Sequence, residues 1–436
     1  MDGGVLHGSH HHAERRDALA CRPIAFGGNV KTPRTRRRPP RAPRELPEIT
    51  ARTDTRVQLA HAAREARALR DFFVVDLDAH VTETAFWAEI VDRIDDEVIR
   101  QMARSFREKA GTPPGLLNHR PGMVYQDVYG RIPHQTGLFE PTDDSGVHRM
   151  IQLVRRAMDS MGIDIQVLFP TPMLLLGMHP QPEIEAALGD AFNRWMTEVI
   201  LPEEPRIRGL AYLPFNDPEA AYATARRFAD KPGIIGFTVT ATRNRPVHHN
   251  SYMKLYAFLQ ETGRPLTFHS GFHWDDPSLL QMNRFIAMHA ITFVHYNLIH
   301  LTNWVINGMP ERFPRLKIVW VESGLAWVPF IMQRLDSEFH MRPSEAPLLK
   351  RPPSEYIREM YFTSQPLERS DLKLTRATFE AIRAETQLLY SSDWPHWDFD
   401  TPATITRLPF LSTRAKRNIL GLNAARVFNL PVRKMK

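Results

Sequence analysis

Short apolar, β-branched runs recur along this chain, each followed by a stretch with helical spacing, and that recurrence limits the folds open to it. Eight such runs are predicted as strands, at residues 72–77, 165–170, 209–215, 234–240, 265–270, 317–322, 360–365 and 387–393. Between them lie amphipathic segments at 191–201, 217–229, 251–263 and 326–338. The second of these opens on Asp217 and Pro218, an N-cap followed by proline in the first turn, and the third closes on Gly263. A further helix over 51–70 leads into the first run. Strand then helix, repeated, implies parallel pairing through right-handed crossovers, and eight repeats close into a (β/α)8 TIM barrel, an α/β fold. Such a barrel keeps its active site at the C-terminal ends of its strands.

Those ends carry the residues that stand out chemically. Asp78 and His80 follow the first run, and the period-2 alternation of a strand puts both on one face. His269 closes the fifth run, Glu322 the sixth and Asp393 the eighth. Imidazole and carboxylate together suit Zn²⁺, Mn²⁺ or Fe²⁺, whereas an all-oxygen Ca²⁺ cage would not use two histidines. Asp78, His80, His269 and Asp393 are therefore the expected metal ligands, for one or two divalent ions. Zn²⁺ stands first, with Mn²⁺ or Fe²⁺ also fitting. Cys21 is the sole cysteine, so neither thiolate metal sites nor an internal disulfide is available, which fits a reducing, cytoplasmic setting.

The net charge of +7 does not make this a nucleic-acid binder. Residues 1–50 hold ten Lys/Arg against five Asp/Glu, so the tail supplies most of the excess. Its composition, with His10, His11, His12 and many prolines, is that of a disordered arm ahead of a barrel domain at 51–436. No apolar run approaches the roughly 20 residues of a membrane span. Residues 84–158 exceed a simple βα unit, and insertions after a barrel strand sit over the active-site face, so a lid is expected there, with Arg120, Tyr125 and His134 in reach of substrate. Phe272, His273, Trp274, Trp394 and Trp397 share loops with the ligands and suggest an apolar pocket for a flat substrate. Packing is the competing role for each of these, as it is for His300 and for His295, a candidate acid/base. His396 is placed to orient Asp393.

Val75-Asp-Leu-Asp-Ala-His-Val-Thr-Glu83, Phe268-His-Ser270, the stretch from Glu311 to Gly324 and Tyr390-Ser-Ser-Asp-Trp-Pro-His396 carry a resemblance. Over residues 72–430 the chain is similar to the amidohydrolase-related group of the amidohydrolase superfamily, which includes aminocarboxymuconate semialdehyde decarboxylase. The resemblance implies a metal held by an HxH-type pair on the first strand, a His on the fifth and an Asp on the eighth. Asp78 stands here where the first His often lies, making the site harder and more anionic. On the sixth strand, Glu322 replaces the His that the group's decarboxylases look to carry.

The expectation is therefore metal-dependent hydrolysis. Asp393 takes a proton from a bound water and passes it to the leaving group, with Glu322 as a further base or a bridging ligand. The bond cut is an amide, ester, thioester or C–C bond beside a carbonyl. The alternative is nonoxidative decarboxylation of an aromatic or unsaturated acid; a third reading is an inactive barrel that binds a ligand. The expected partners are a small-molecule substrate and a second copy of the chain, docked through the apolar helix that begins at Trp327, with no nucleic acid and no membrane.

Overall fold

In the computed structural model, which describes residues 55–105 and 140–433 apart from 244, 273–275, 277, 280, 281 and 283, the eight runs become eight strands. They are β1 (Val75–Val81), β2 (Ile165–Pro170), β3 (Ile207–Tyr212), β4 (Ile234–Thr240), β5 (Leu266–His269), β6 (Ile318–Val321), β7 (Tyr361–Thr363) and β8 (Leu388–Leu389). Their order in the sheet is their order in the chain, and each neighbouring pair is parallel. The segment after β8 returns to β1. Leu77 N–H donates to the Tyr390 carbonyl at 3.0 Å, and His80 N–H to that of Trp394 and Asp393 N–H to that of Asp78, each at 2.7 Å. The expected (β/α)8 barrel is thus formed.

Strand alternation sorts the core into two sets. Val75, Leu77, Ile165, Val167, Phe169, Val319 and Val321 pack together inside the sheet. Ile318, Trp320, Leu266 and Phe268 belong to the second set, which includes the surrounding helices. There the Phe268 and Trp320 rings stack at 4.8 Å. Both faces of each strand are buried, which is why these strands read as continuous apolar runs.

The crossover helices follow the capping signals. Pro218–Phe228 starts from Asp217, whose carboxylate accepts N–H bonds from Glu219 at 3.0 Å and Ala220 at 3.1 Å. Met253–Glu261 precedes Gly263, which has φ +67°. Pro182–Trp195 runs into a wider π-helical turn, Met196–Ile200. Trp327–Met341 turns Val328, Ile331, Met332 and Leu335 inward, so most of its apolar side is used by the core, and Phe330 and Met341 are the large apolar side chains it exposes.

One expectation needs correcting. β1 starts three residues later than the run 72–77, because Phe72 N–H closes a turn onto the Leu69 carbonyl, and the strand continues through Asp78 and His80 instead of ending before them. Its register against β2 also shifts between Asp76 and Ala79. Strict alternation from Val75 and Leu77 would point Asp78 away from the barrel axis. Beyond the irregularity Ala79 and Val81 join the outer set, and Asp78 and His80 together turn inward, as side chains re-aimed by bulges beside active sites do.

Residues 84–158, where an insertion is expected, are described only at their two ends. Arg149–Met161 is the crossover helix of the first βα unit, and Trp87–Val91 and Glu97–Ser105 are short helices ahead of it. The centre of that stretch, with Arg120, Tyr125 and His134, lies outside the described residues, as does the tail 1–50. Among the described residues no helix is long and apolar enough to cross a membrane.

Candidate metal centre

Five ionisable side chains meet where β1, β5, β6 and β8 end. Asp78 and His80 come from β1, His269 is the last residue of β5, Glu322 follows β6 directly and Asp393 lies four residues beyond β8. Glu322 and Asp393 hold left-handed backbone, φ +53° and +66°, a conformation that costs a non-glycine residue about 1 kcal/mol or more and is concentrated at functional sites. Surrounding bonds hold both turns. Glu322 N–H donates to Thr363 Oγ1 at 3.0 Å, and Asp393 N–H to the Asp78 carbonyl.

His80 Nε2 lies 3.3 Å from Asp78 Oδ1, 3.1 Å from Asp393 Oδ1 and 3.8 Å from Glu322 Oε2. His269 Nε2 lies 3.1 Å from Asp78 Oδ1 and 3.4 Å from Glu322 Oε2. One donor atom from each of Asp78, His80, His269 and Glu322 falls within 4.8 Å of the others, and His80, Asp393 and His396 form an adjoining trio of the same kind. His396 stacks on His80 at 4.2 Å between ring centroids and places Nδ1 2.6 Å from Asp393 Oδ1.

Both ligand imidazoles are held in one tautomer. His80 Nδ1 sits 3.0 Å from the Pro170 carbonyl and His269 Nδ1 2.6 Å from the Ser270 carbonyl. A carbonyl only accepts, so each Nδ1 carries a proton and each Nε2 is the atom turned to the cluster, where a cation would take its lone pair. Asp76, buried beneath them, accepts from Ser392 N–H at 2.7 Å, Ser392 Oγ at 2.6 Å and Gln166 Nε2 at 2.8 Å, tying β1 to β2 and to the loop that carries Asp393.

Burial and the crowding of carboxylates around two imidazoles set the electrostatics. Burial pushes Glu322 well above the usual carboxylate range, helped by the charges of Asp393 and Asp78. Burial likewise takes Asp393 up to about 7, against the pull of His80. For His80 burial alone would lower the pKa, but Asp393 and Asp78 raise it to about 10. Asp78 is held below its usual range by His269 and His80 despite its burial. Asp78 Oδ2, His80 Nε2, Glu322 Oε2 and Asp393 Oδ1 are all buried without a well-formed hydrogen bond among the described residues. Four orphaned donor atoms converging from three carboxylates and an imidazole fit a divalent cation, which would satisfy them together.

The other candidates fall elsewhere. His295, on the helix Phe285–Ile306, is outside the cluster, with Nε2 3.9 Å from Asp276 Oδ2. His300 is buried and bonded to the Ala241 carbonyl at 2.8 Å, a packing role. Trp394 is buried in the core, whereas Phe272 is half-buried with its ring 5.8 Å from that of Phe285. His273 and Trp274 lie outside the described residues. Sequence reasoning passed over Asp76 and Asp398. Asp76 is a carboxylate within an apolar strand, itself a signal of internal bonding, and Asp398 adds its charge to those raising Glu322.

Comparison with known proteins agrees with this architecture. A family model described as Amidohydrolase matches residues 141–430. The 2-amino-3-carboxymuconate-6-semialdehyde decarboxylase of Dictyostelium discoideum is 21% identical over 272 residues, covering 62% of this chain and 73% of that protein. The gamma-resorcylate decarboxylase of a Polaromonas species is 23% identical over 286 residues, covering 63% and 86%. Among solved structures, the 5-carboxyvanillate decarboxylase of Novosphingobium aromaticivorans, complexed with manganese and 4-hydroxy-3-methoxy-5-nitrobenzoic acid, shares the fold. Its TM-score is 0.58 at 18% identity, over 83% of this chain and 97% of that one.

Proposed function

This chain belongs to the amidohydrolase family, and from that premise we propose that it is a metal-dependent, nonoxidative carboxy-lyase acting on an aromatic or unsaturated carboxylic acid. The observation that carries the proposal is the buried, oxygen-rich cluster at the strand ends, in a chain whose curated relatives are decarboxylases. Hydrolysis led the expectations from sequence; its alternative now stands first, because those relatives are matched across 73% and 86% of their own length.

In this reading Asp78, His80, His269 and Glu322 hold the cation, with Asp393 beside His80. Three carboxylates and two imidazoles make a hard, anionic donor set, which favours Mn²⁺ over Zn²⁺. A cation bound there supplies positive charge to receive the substrate's carboxylate and a neighbouring oxygen.

The remaining work belongs to the protein. Asp393, with His396 Nδ1 2.6 Å from its Oδ1, carries the proton and gives it to the ring carbon. The bond from that carbon to the carboxylate breaks, its electron pair ends in the new C–H bond, and CO₂ leaves. A proton from solvent restores Asp393. Phe272, which keeps partial exposure, takes the ring contact, and Trp394 supports the wall from within the core.

The test is to incubate Mn²⁺-loaded protein with carboxyl-¹³C γ-resorcylate or 5-carboxyvanillate in D₂O. The expected result is ¹³CO₂ and one deuterium at the vacated ring carbon, both abolished by a chelator. Bound metal with no CO₂ from a panel of hydroxybenzoic acids would return the account to hydrolysis.

A further inference from the structure

At the opposite end of the strands from the cluster, between the beginnings of β3 and β4, lies a cavity of about 480 Å³. Its walls are largely apolar, built from Leu201, Pro202, Phe228 and Pro232, and its remaining side is the π-helical turn Met196–Ile200. Such turns widen the backbone and are frequent at functional sites. The volume falls within the range of small-molecule sites.

Four cations line it: Arg194, Arg208, Arg227 and Lys231. Two of them are neutralised. Arg194 Nη1 is 2.8 Å from Asp95 Oδ1, and Arg227 Nη1 is 2.6 Å from Asp190 Oδ1. The carboxylate of Glu198, also at the cavity, is engaged by Arg93 at 2.9 Å and by Arg194 at 3.5 Å.

Arg208 differs. Its Nη1 donates to the carbonyls of Ile207, at 2.8 Å, and Pro205, and no carboxylate pairs with it among the described residues. Burial pushes its pKa down with nothing to offset the effect. A half-buried guanidinium without a counter-ion, with Nε and Nη2 still to be used, recognises a carboxylate through a forked pair of charge-assisted bonds. Lys231 stands exposed at the rim and adds a second positive charge.

We propose that this cavity is a second ligand site, separate from the metal centre, for a small organic carboxylate with an apolar body, its carboxylate on Arg208 and its body against Leu201 and Phe228. An inorganic anion would leave the apolar walls unused, and a neutral arene would leave Arg208 unpaired. The inference does not depend on the reaction proposed above.

The test is a ¹⁹F NMR titration of the full-length, Mn²⁺-loaded protein with 4-fluorobenzoate, alongside His269→Ala, Arg208→Gln and Lys231→Ala. The expected result is saturable binding that survives His269→Ala, weakens about tenfold or more in Arg208→Gln and about threefold in Lys231→Ala, and is absent for 4-fluorobenzyl alcohol. Lys231 is at the surface, so that variant keeps the test informative if Arg208→Gln misfolds. The proposal is overturned if binding is lost with His269→Ala, if it is unchanged in both cavity variants, or if the neutral alcohol binds as well as the acid.

Discussion

His300 offers the sharpest quantitative test of the packing around the site. It lies on the helix Phe285–Ile306, which also anchors the ends of β5 and β6: Asn297 Nδ2 donates to the Val321 carbonyl at 3.2 Å, and the Phe293 carbonyl accepts from Ser270 Oγ. The His300 ring is 2% exposed, its Nε2 donates to the Ala241 carbonyl, and its Nδ1 is buried without a partner among the described residues. Protonating Nδ1 would bury a charge with no acceptor. Burial first, then the charges of Arg243 and His295, lower the pKa from 6.5 to about 4, while the Ala241 bond works the other way. For a base whose folded pKa is depressed, the unfolded chain binds the proton first, so stability is unaffected above about pH 7 and falls as pH drops through 6.5. The loss works out at about 2 kcal/mol by pH 5 and approaches about 3 kcal/mol below pH 4. His300→Gln keeps a donor for Ala241 and removes the titration. Urea unfolding of both proteins, chelated so that metal release contributes equally, should show the wild type losing about 2 kcal/mol more than the variant between pH 7 and pH 5. Parallel pH dependence in the two proteins would refute the reasoning.

Three further outcomes are expected. Asp76→Asn sets an amide against the N–H and hydroxyl groups that the carboxylate now accepts from, and should cost about 2–4 kcal/mol of stability in denaturant melts, with no comparable loss for exposed Asp230→Asn. Under the proposed reaction, Asp393→Asn should leave the fold intact by circular dichroism and lower the rate of CO₂ release by about 10²–10⁴-fold, since that reading makes Asp393 the proton carrier. Glu322→Gln should weaken Mn²⁺ binding by about tenfold or more in a calorimetric titration if the carboxylate is a ligand; unchanged affinity with lost turnover would make it a base instead.

The barrel is legible in the sequence because parallel strands buried on both faces read as uninterrupted apolar runs, and the runs at 165–170 and 234–240 coincide with β2 and β4. The run 387–393 shrinks to Leu388–Leu389, as Ser391, Ser392 and Asp393 leave the ladder to bend into the site. The register shift between Asp76 and Ala79 has no sequence marker, and neither has the turn of Phe72 onto Leu69 that delays the start of β1 to Val75. The positive φ of Glu322 and Asp393 was equally hidden, since neither is glycine. Asp78, His80 and His269 could be found because strand-end position and donor chemistry agree. His295 could not be separated from its neighbours, because the helix carrying it is apolar all round and its periodicity does not show which face meets the site. The stacking of His396 on His80 depends on a loop conformation that residue spacing does not encode.

The measurement that tests the central claim most directly is metal content by plasma mass spectrometry on full-length wild type and His269→Ala, prepared and dialysed side by side. Any ion held by His10, His11 and His12 contributes equally to both proteins and drops out of the difference. The account expects about one equivalent of Mn, Zn or Fe in the wild type that the variant lacks, at the centre formed by Asp78, His80, His269 and Glu322. Equal metal content in the two proteins, or none in either after reconstitution with Mn²⁺, would contradict it.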